Sequence, residues 1–226
     1  MSGKANQRLR TDAGMNMHLV SRTDCDGAFP AIPRCDCVPD DLMAFNLAMS
    51  TKDSAKAGAG CHFFLDDYQF ERVWGRPEAY VNSLLGFRCV LSPDFSMYTD
   101  MPLPMLAWNH YRKQAVGLWW SRLGMEVVPT LSWAMPDSYR FCFDGVPSES
   151  VVAVSTMGAG QSERSDELWR MGMTEALRRL RPSCVLVYGR DVGFDFGNVP
   201  HVFYGNKMIE RFEDGRKRKL VGGGSG

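Results

Sequence analysis

Residues 61–74 read CHFFLDDYQFERVW. An apolar, strand-like run ends on two adjacent carboxylates, Asp66 and Asp67, and passes at once into an aromatic, charged helical stretch. A strand that enters a helix through a short polar turn is the building block of a parallel α/β fold. The acidic turn itself supports two readings. Asp is a preferred helix N-cap, because its carboxylate accepts orphaned backbone N–H groups. In parallel α/β folds the same turn is also the strand end at which ligands bind. One aspartate capping the helix and the other facing a pocket would satisfy both, with the assignment open.

Similar runs recur downstream as FRCVLS (87–92), MEVVPTL (125–131), YRFCF (139–143), VVAVST (151–156), CVLVYG (184–189) and HVFYG (201–205). Between most of them lie helix-length stretches. In MPLPMLAWNHYRKQAVGLWWSRLG (101–124), Met105, Trp108, Ala115, Trp119 and Leu123 fall on roughly one face, and Gly124 supplies a stop. In SERSDELWRMGMTEALRRLRP (162–182), Leu168, Met171, Ala176 and Leu180 point inward, acids come early, arginines come late and Pro182 closes the helix. Helices alternating with apolar strands predict an α/β fold with a mostly parallel sheet of about six βα units. Periodicity leaves open whether these form an incomplete (β/α) barrel or an open doubly wound sheet. YRFCF follows the preceding strand too closely for a full crossover and reads as a short insert or edge element.

The flanks differ from this centre. Residues 1–38 are polar and aperiodic and read as a poorly structured arm that packs down near FPAIPRCDC (29–37). PDDLMAFNLAMS (39–50) reads as a helix, with Pro39 in the first turn and Leu42, Phe45 and Met49 at helical spacing. A single α/β domain is expected over 39–213. The stretch 214–226 reads as a basic, glycine-rich flexible tail.

The 226 residues include 45% apolar and 23% charged side chains, enough for a sizeable core. Lys+Arg and Asp+Glu both number 26, so no general attraction to nucleic acid or anionic lipid follows. The N-terminus has no apolar signal-peptide core, and no apolar run reaches the ~20 residues that a membrane helix needs. Seven cysteines, an odd number, are scattered, and Cys61, Cys89, Cys142 and Cys184 sit in or beside apolar runs. A reduced, cytoplasmic protein is expected.

The strand ends name the residues to inspect for chemistry. They are Asp66 and Asp67, then Asp94, Ser96, Tyr98 and Asp100 in SPDFSMYTDMP, then Ser132 and Trp133, Asp144, Thr156 and Gly158 in STMGAG, and Tyr188 with Arg190. Asp66 or Asp67 and Asp94 come from neighbouring strands in the simplest arrangement. Paired carboxylates there suit general acid–base work or a divalent cation held by Asp66 and Asp94. The turn in VVAVSTMGAGQSER offers backbone N–H groups to an anion, or is a tight turn capped by Ser162 or Ser165. Cys25, Cys35 and Cys37 lack zinc-type spacing or a histidine partner, and no GxSxG is present. GRKRK (215–219) is the one basic footprint that would suit nucleic acid.

FFLDDYQFERVW, LSPDFSMYTDMPLPMLAWNHYR, FCFDGVPSESVVAVSTMGAG and VLVYG together resemble the DUF4417 family, from about Asp40 to Tyr204. The resemblance implies a single domain of the kind found in bacteria, archaea, phages and other mobile elements, with no assigned reaction. It also picks out Asp66, Asp67, Tyr68, Asp94, Ser96, Tyr98, Asp100, Asn109, Arg112, Trp133, Asp144, Gly145, Thr156 and Gly158. Asn109 and Arg112 lie one turn apart, and Arg112 is placed to pair with Asp94 or Asp100, or to meet an anionic ligand. Two functions follow as expectations. One is an enzyme or ligand-binding domain with catalytic Asp66, Asp67 and Asp94, a pocket including Tyr98, Asp100, Asn109, Arg112, Trp133, Asp144, Thr156 and Gly158, and a phosphate-bearing or nucleotide-derived ligand. The other is a phage or mobile-element accessory protein that binds nucleic acid or a host protein without catalysis.

Overall fold

The computed structural model describes residues 15–205. Seven strands run parallel and in chain order: β3 (Asp41–Ala44), β4 (Ala59–His62), β5 (Cys89–Leu91), β6 (Val127–Val128), β7 (Val151–Ser155), β8 (Cys184–Tyr188) and β9 (His201–Tyr204). They follow a short antiparallel pair, β1 (Cys25–Asp26) and β2 (Phe29–Pro30). Ladders join β3 to β6 and β7 to β9. The gap between the two sheets is bridged just beyond β6, where Ala153 N–H donates to Pro129 O at 2.9 Å and Leu131 N–H to Ala153 O at 2.7 Å. At the outer edges the Tyr204 hydroxyl donates to Pro39 O at 2.7 Å. Within each of the two sheets the strands follow one another in chain order.

Side chains alternate across these strands with period two. Leu42, Cys89, Leu91, Val128, Val151, Ala153, Cys184, Leu186, Tyr188 and Tyr204 meet in one inner cluster. Their neighbours Cys61, Val90 and Val127 pack outward into a second cluster, and Val152, Val154, Val185 and Val187 into a third, both shared with the helices. Burial on both faces explains why the strands read as continuous apolar runs. The outermost strands β3 and β9 both contribute to the inner cluster, through Leu42 and Tyr204.

Six helices complete the described residues: α1 (Phe45–Ala48), α2 (Asp53–Lys56), α3 (Glu71–Gly75), α4 (Val81–Leu84), α5 (Leu103–Arg122) and α6 (Glu163–Leu180). The start of α6 has the expected cap, with Ser162 Oγ accepting from Ser165 N–H at 3.1 Å. Three local expectations are corrected. Residues 41–44 form strand β3 rather than a helix, because the ladder to β4 decides their conformation, and only 45–48 are helical. YRFCF takes the insert rather than the edge reading: it covers the end of a 3-10 turn (Pro136–Arg140) and a buried bend at Phe141, Cys142 and Phe143. Of the expected apolar stripe on α5, Ala115 is buried, but Met105 and Trp108, and Leu123 just beyond the helix, are 50%, 37% and 40% exposed. On α6, Met171 is exposed, whereas Trp169 and Met173 are buried.

The segment ahead of β3 packs closely. Leu19, Phe29, Ile32 and Cys35 are buried, Ile32 N–H donates to Gly145 O at 3.0 Å, and Val151 N–H donates to Cys35 O at 2.8 Å. All seven cysteines are free thiols. Among the described residues, no helix is long and apolar enough to cross a membrane. The GRKRK tail lies outside the described residues. Leu186, fully buried at the centre of the inner cluster, gives a direct test of this arrangement. Leu186→Ala is expected to lower unfolding free energy by roughly 2–5 kcal/mol in urea denaturation. A loss below about 1 kcal/mol would contradict its interior position.

Candidate functional site

The C-terminal ends of the strands surround a cavity of about 510 Å³. Asn46 and Leu47 follow β3, while Phe64, Asp66 and Gln69 follow β4. Asp94, Ser96 and Tyr98 follow β5, Leu131 to Ala134 follow β6, Ser155 and Gly158 belong to the end of β7, and Tyr188 ends β8. Its volume is in the range of small-molecule sites.

Helix α5 holds the loops of this rim in place. Its buried surface carries Asn109, His110, Arg112, Lys113 and Gln114, and most of their polar atoms reach into a neighbouring loop. Asn109 Nδ2 donates to Ser96 O at 2.7 Å. His110 Nε2 and Gln114 Nε2 donate to Asp144 O at 2.9 and 3.1 Å. Burial pushes the His110 imidazole down to about 3, so the ring is neutral, with the proton on Nε2 facing that carbonyl. Arg112 pairs with Glu71, donates to Asn109 Oδ1 at 2.7 Å and lies 3.9 Å over the Phe95 ring.

Lys113 is 1% exposed and donates from Nζ to Ser132 Oγ at 2.8 Å. Asp94 lies near both groups without a direct ion pair to Lys113, and each favours its charged form. Burial pushes the Asp94 carboxyl up to about 6, against the opposing pull of Lys113 and Ser132, with a further small push from Asp67. Burial pushes the Lys113 ammonium down, opposed by Asp94. Asp94 Oδ1 is shut off from solvent and has no hydrogen-bond partner. A carboxyl that titrates near neutrality beside a cavity, backed by a hydroxyl and an amine, is chemically equipped to move a proton.

The structure divides the candidate residues clearly. The acidic pair of the 61–74 stretch takes two separate positions. Asp66 lines the cavity and, although at the N-cap position of the following turn, makes no capping bond. Asp67 accepts from Ser96 N–H at 3.1 Å and from Ser96 Oγ at 2.7 Å, which clamps the loop after β5. Tyr98, Trp133 and Gly158 also line the cavity. Asp100 and Asp144 do not, and Thr156 is buried beside it, donating to Arg190 O at 2.9 Å. Asn109 holds the β5 loop, and the partner of Arg112 is Glu71, at the start of α3, rather than Asp94 or Asp100. Lys113 escaped sequence reading: nothing in HYRKQAV marks its lysine as buried. Trp169 was hidden in the same way within α6.

No group of three or more His, Cys, Asp or Glu side chains among the described residues is placed to hold a metal ion. Asp66 and Asp94 alone would supply two carboxylates, short of the oxygen set that a hard cation demands unless water or ligand completes it.

A family model described as "Domain of unknown function (DUF4417)" matches residues 23–204. The chain belongs to this family. Over 188 residues it is 38% identical to the Gene 1 protein of Mycobacterium phage L5, covering 83% of this chain and 82% of that protein. Over 207 residues it is 38% identical to the Gene 1 protein of Mycobacterium phage D29, covering 92% of this chain and 75% of that protein. No solved structure matches. The DUF4417 span encloses the cavity completely, from Ala44 to Tyr188.

One wall of the DUF4417 cavity depends on a close approach. A Cβ on Gly172 of α6 would stand 2.1 Å from Trp133 Nε1, the nitrogen that donates to Leu168 O at 3.1 Å. Alanine is the better helix former by about 1 kcal/mol, but driving a methyl into a rigid indole costs roughly 1–3 kcal/mol. Gly172→Ala is therefore expected to destabilise the fold and shift tryptophan emission as Trp133 moves. A stabilised variant with unchanged emission would show that the indole is not held there.

Proposed function

We propose that this phage-related domain binds a small molecule in the strand-end cavity and exchanges a proton with it through Asp94. The observation that carries this reading is the unpartnered, buried Oδ1 of Asp94 on the cavity lining. A carboxylate oxygen shut away from water without a partner costs several kcal/mol, which favours the protonated form and so a carboxyl able to give up or take a proton at the cavity. With the carboxyl pushed up to about 6, both protonation states are accessible near neutral pH. In this reading Lys113 and Ser132 are positioning residues that hold the carboxyl, Asp66 offers a second acceptor, and Asp67 and Asn109 keep the β5 loop in register. The nucleic-acid alternative depends on the tail beyond the described residues and draws no support from the cavity.

The test compares wild type with Asp94→Asn by thermal melting across a small-molecule library. At pH 5 most of the wild-type carboxyl is protonated, so the two proteins should melt within about 4 °C of each other, the equivalent of roughly 1 kcal/mol for a chain of this size. Compounds that raise the wild-type melting temperature at pH 7 should lose that effect in the variant. A large fall in melting temperature at pH 5, without loss of any ligand response, would assign Asp94 a structural role instead.

A further inference from the structure

The polar groups around the cavity are sharply unequal in what they can offer. None of the lining residues is Lys, Arg or His, whereas two, Asp66 and Asp94, are carboxylates. Several of the side-chain donors that line it, both indoles included, are committed to the protein. Trp133 Nε1 donates to Leu168 O, and Trp169 Nε1 donates to Ser155 O at 2.9 Å. Asn46 Nδ2 donates to Gln69 Oε1 at 2.7 Å, and Ser96 Oγ to Asp67. The charged groups at the cavity are all acceptors: Asp66 is exposed and makes no capping bond, and the Asp94 carboxyl also lines the space. A phosphate entering this space would meet two carboxylates and no cation.

The walls are aromatic. Trp133 and Trp169 lie with ring centroids 6.2 Å apart, and Phe64 stacks on Tyr188 at 5.3 Å. With their N–H groups turned into the protein, the indoles offer ring surface to an occupant. Ring faces carry negative electrostatic potential and favour flat or cationic partners.

We infer that the occupant is a planar small molecule with a cationic or N–H-donating edge, of the amidine, guanidine or amino-heterocycle class, its donor edge on Asp66 and Asp94 and its ring against Trp133 and Trp169. This rests on the pocket reading above and deepens it by naming the ligand class. Parallel N–H donors match a carboxylate geometrically, which gives the site a way to reject anionic and donor-free molecules of the same shape.

The test uses three similarly sized aromatic probes, a cation with parallel N–H donors (benzamidine), a neutral alcohol (benzyl alcohol) and an anion (benzoate), followed by tryptophan fluorescence and calorimetry at pH 7.5. Benzamidine should bind saturably and at least tenfold more tightly than benzoate. Its affinity should fall about tenfold between pH 7 and pH 5 as Asp94 takes up a proton. Asp66→Asn and Asp94→Asn should each remove most of the difference between benzamidine and benzoate. If benzoate or benzyl alcohol binds as tightly as benzamidine and quenches the same fluorescence, the ligand class is wrong while the pocket stands. If none of the three binds, both the class and the pocket reading are overturned.

Discussion

An amine buried at the end of a fold has to be met, and Lys113 is that amine. Its side chain is removed from solvent on the inward face of α5, where an unpaired ammonium would cost several kcal/mol. What meets it is Ser132, from the loop after β6, while Asp94, from the loop after β5, supplies the opposing charge nearby. Two strand-end loops that share no ladder at that height are thereby drawn onto one helix. The polar neighbours of Lys113 extend the arrangement: Asn109 takes hold of Ser96 O, while His110 and Gln114 grip Asp144 O. The long helix is thus a polar peg, and the rim of the cavity is the set of loops hung from it.

That role explains how well and how poorly the chain reads in advance. The parallel strands were legible because Val90, Val127, Val152 and Val185 are buried on one face and their neighbours on the other, which leaves unbroken apolar runs. The inward face of α5 was not legible. Periodicity searches for apolar residues, and here Asn109, His110, Lys113 and Gln114 are buried beside Leu106, Val116 and Trp120 while Met105 and Trp108 face outward. Likewise Leu42 and Phe45 repeat at helical spacing, yet the ladder to β4 makes a strand of residues 41–44. Local spacing cannot register a partner supplied from elsewhere in the chain.

The acidic turn in the 61–74 stretch shows the same limit at the site. Both aspartates are visible as strand-end carboxylates, and the family resemblance marks both. Their division of labour depends on Ser96, 29 positions beyond Asp67, whose N–H and hydroxyl settle on Asp67 and leave Asp66 to the cavity. Candidates such as Asp100 and Asp144 shared the strand-end signature but fell outside the lining. A strand end is a necessary address for such a residue, and the direction of the following loop decides the rest.

Asp94 joins the two halves of this picture, since it answers the buried amine on one side and borders the cavity on the other. The measurement that bears on it most directly is a carbon-detected NMR titration of the aspartate carboxyls, with Asp94 assigned by its absence in Asp94→Asn. A midpoint near 6 is expected, because burial outweighs the pull of Lys113 and Ser132. A midpoint near 4, that of a solvated aspartate, would contradict a carboxyl held out of water at the cavity and poised to carry a proton.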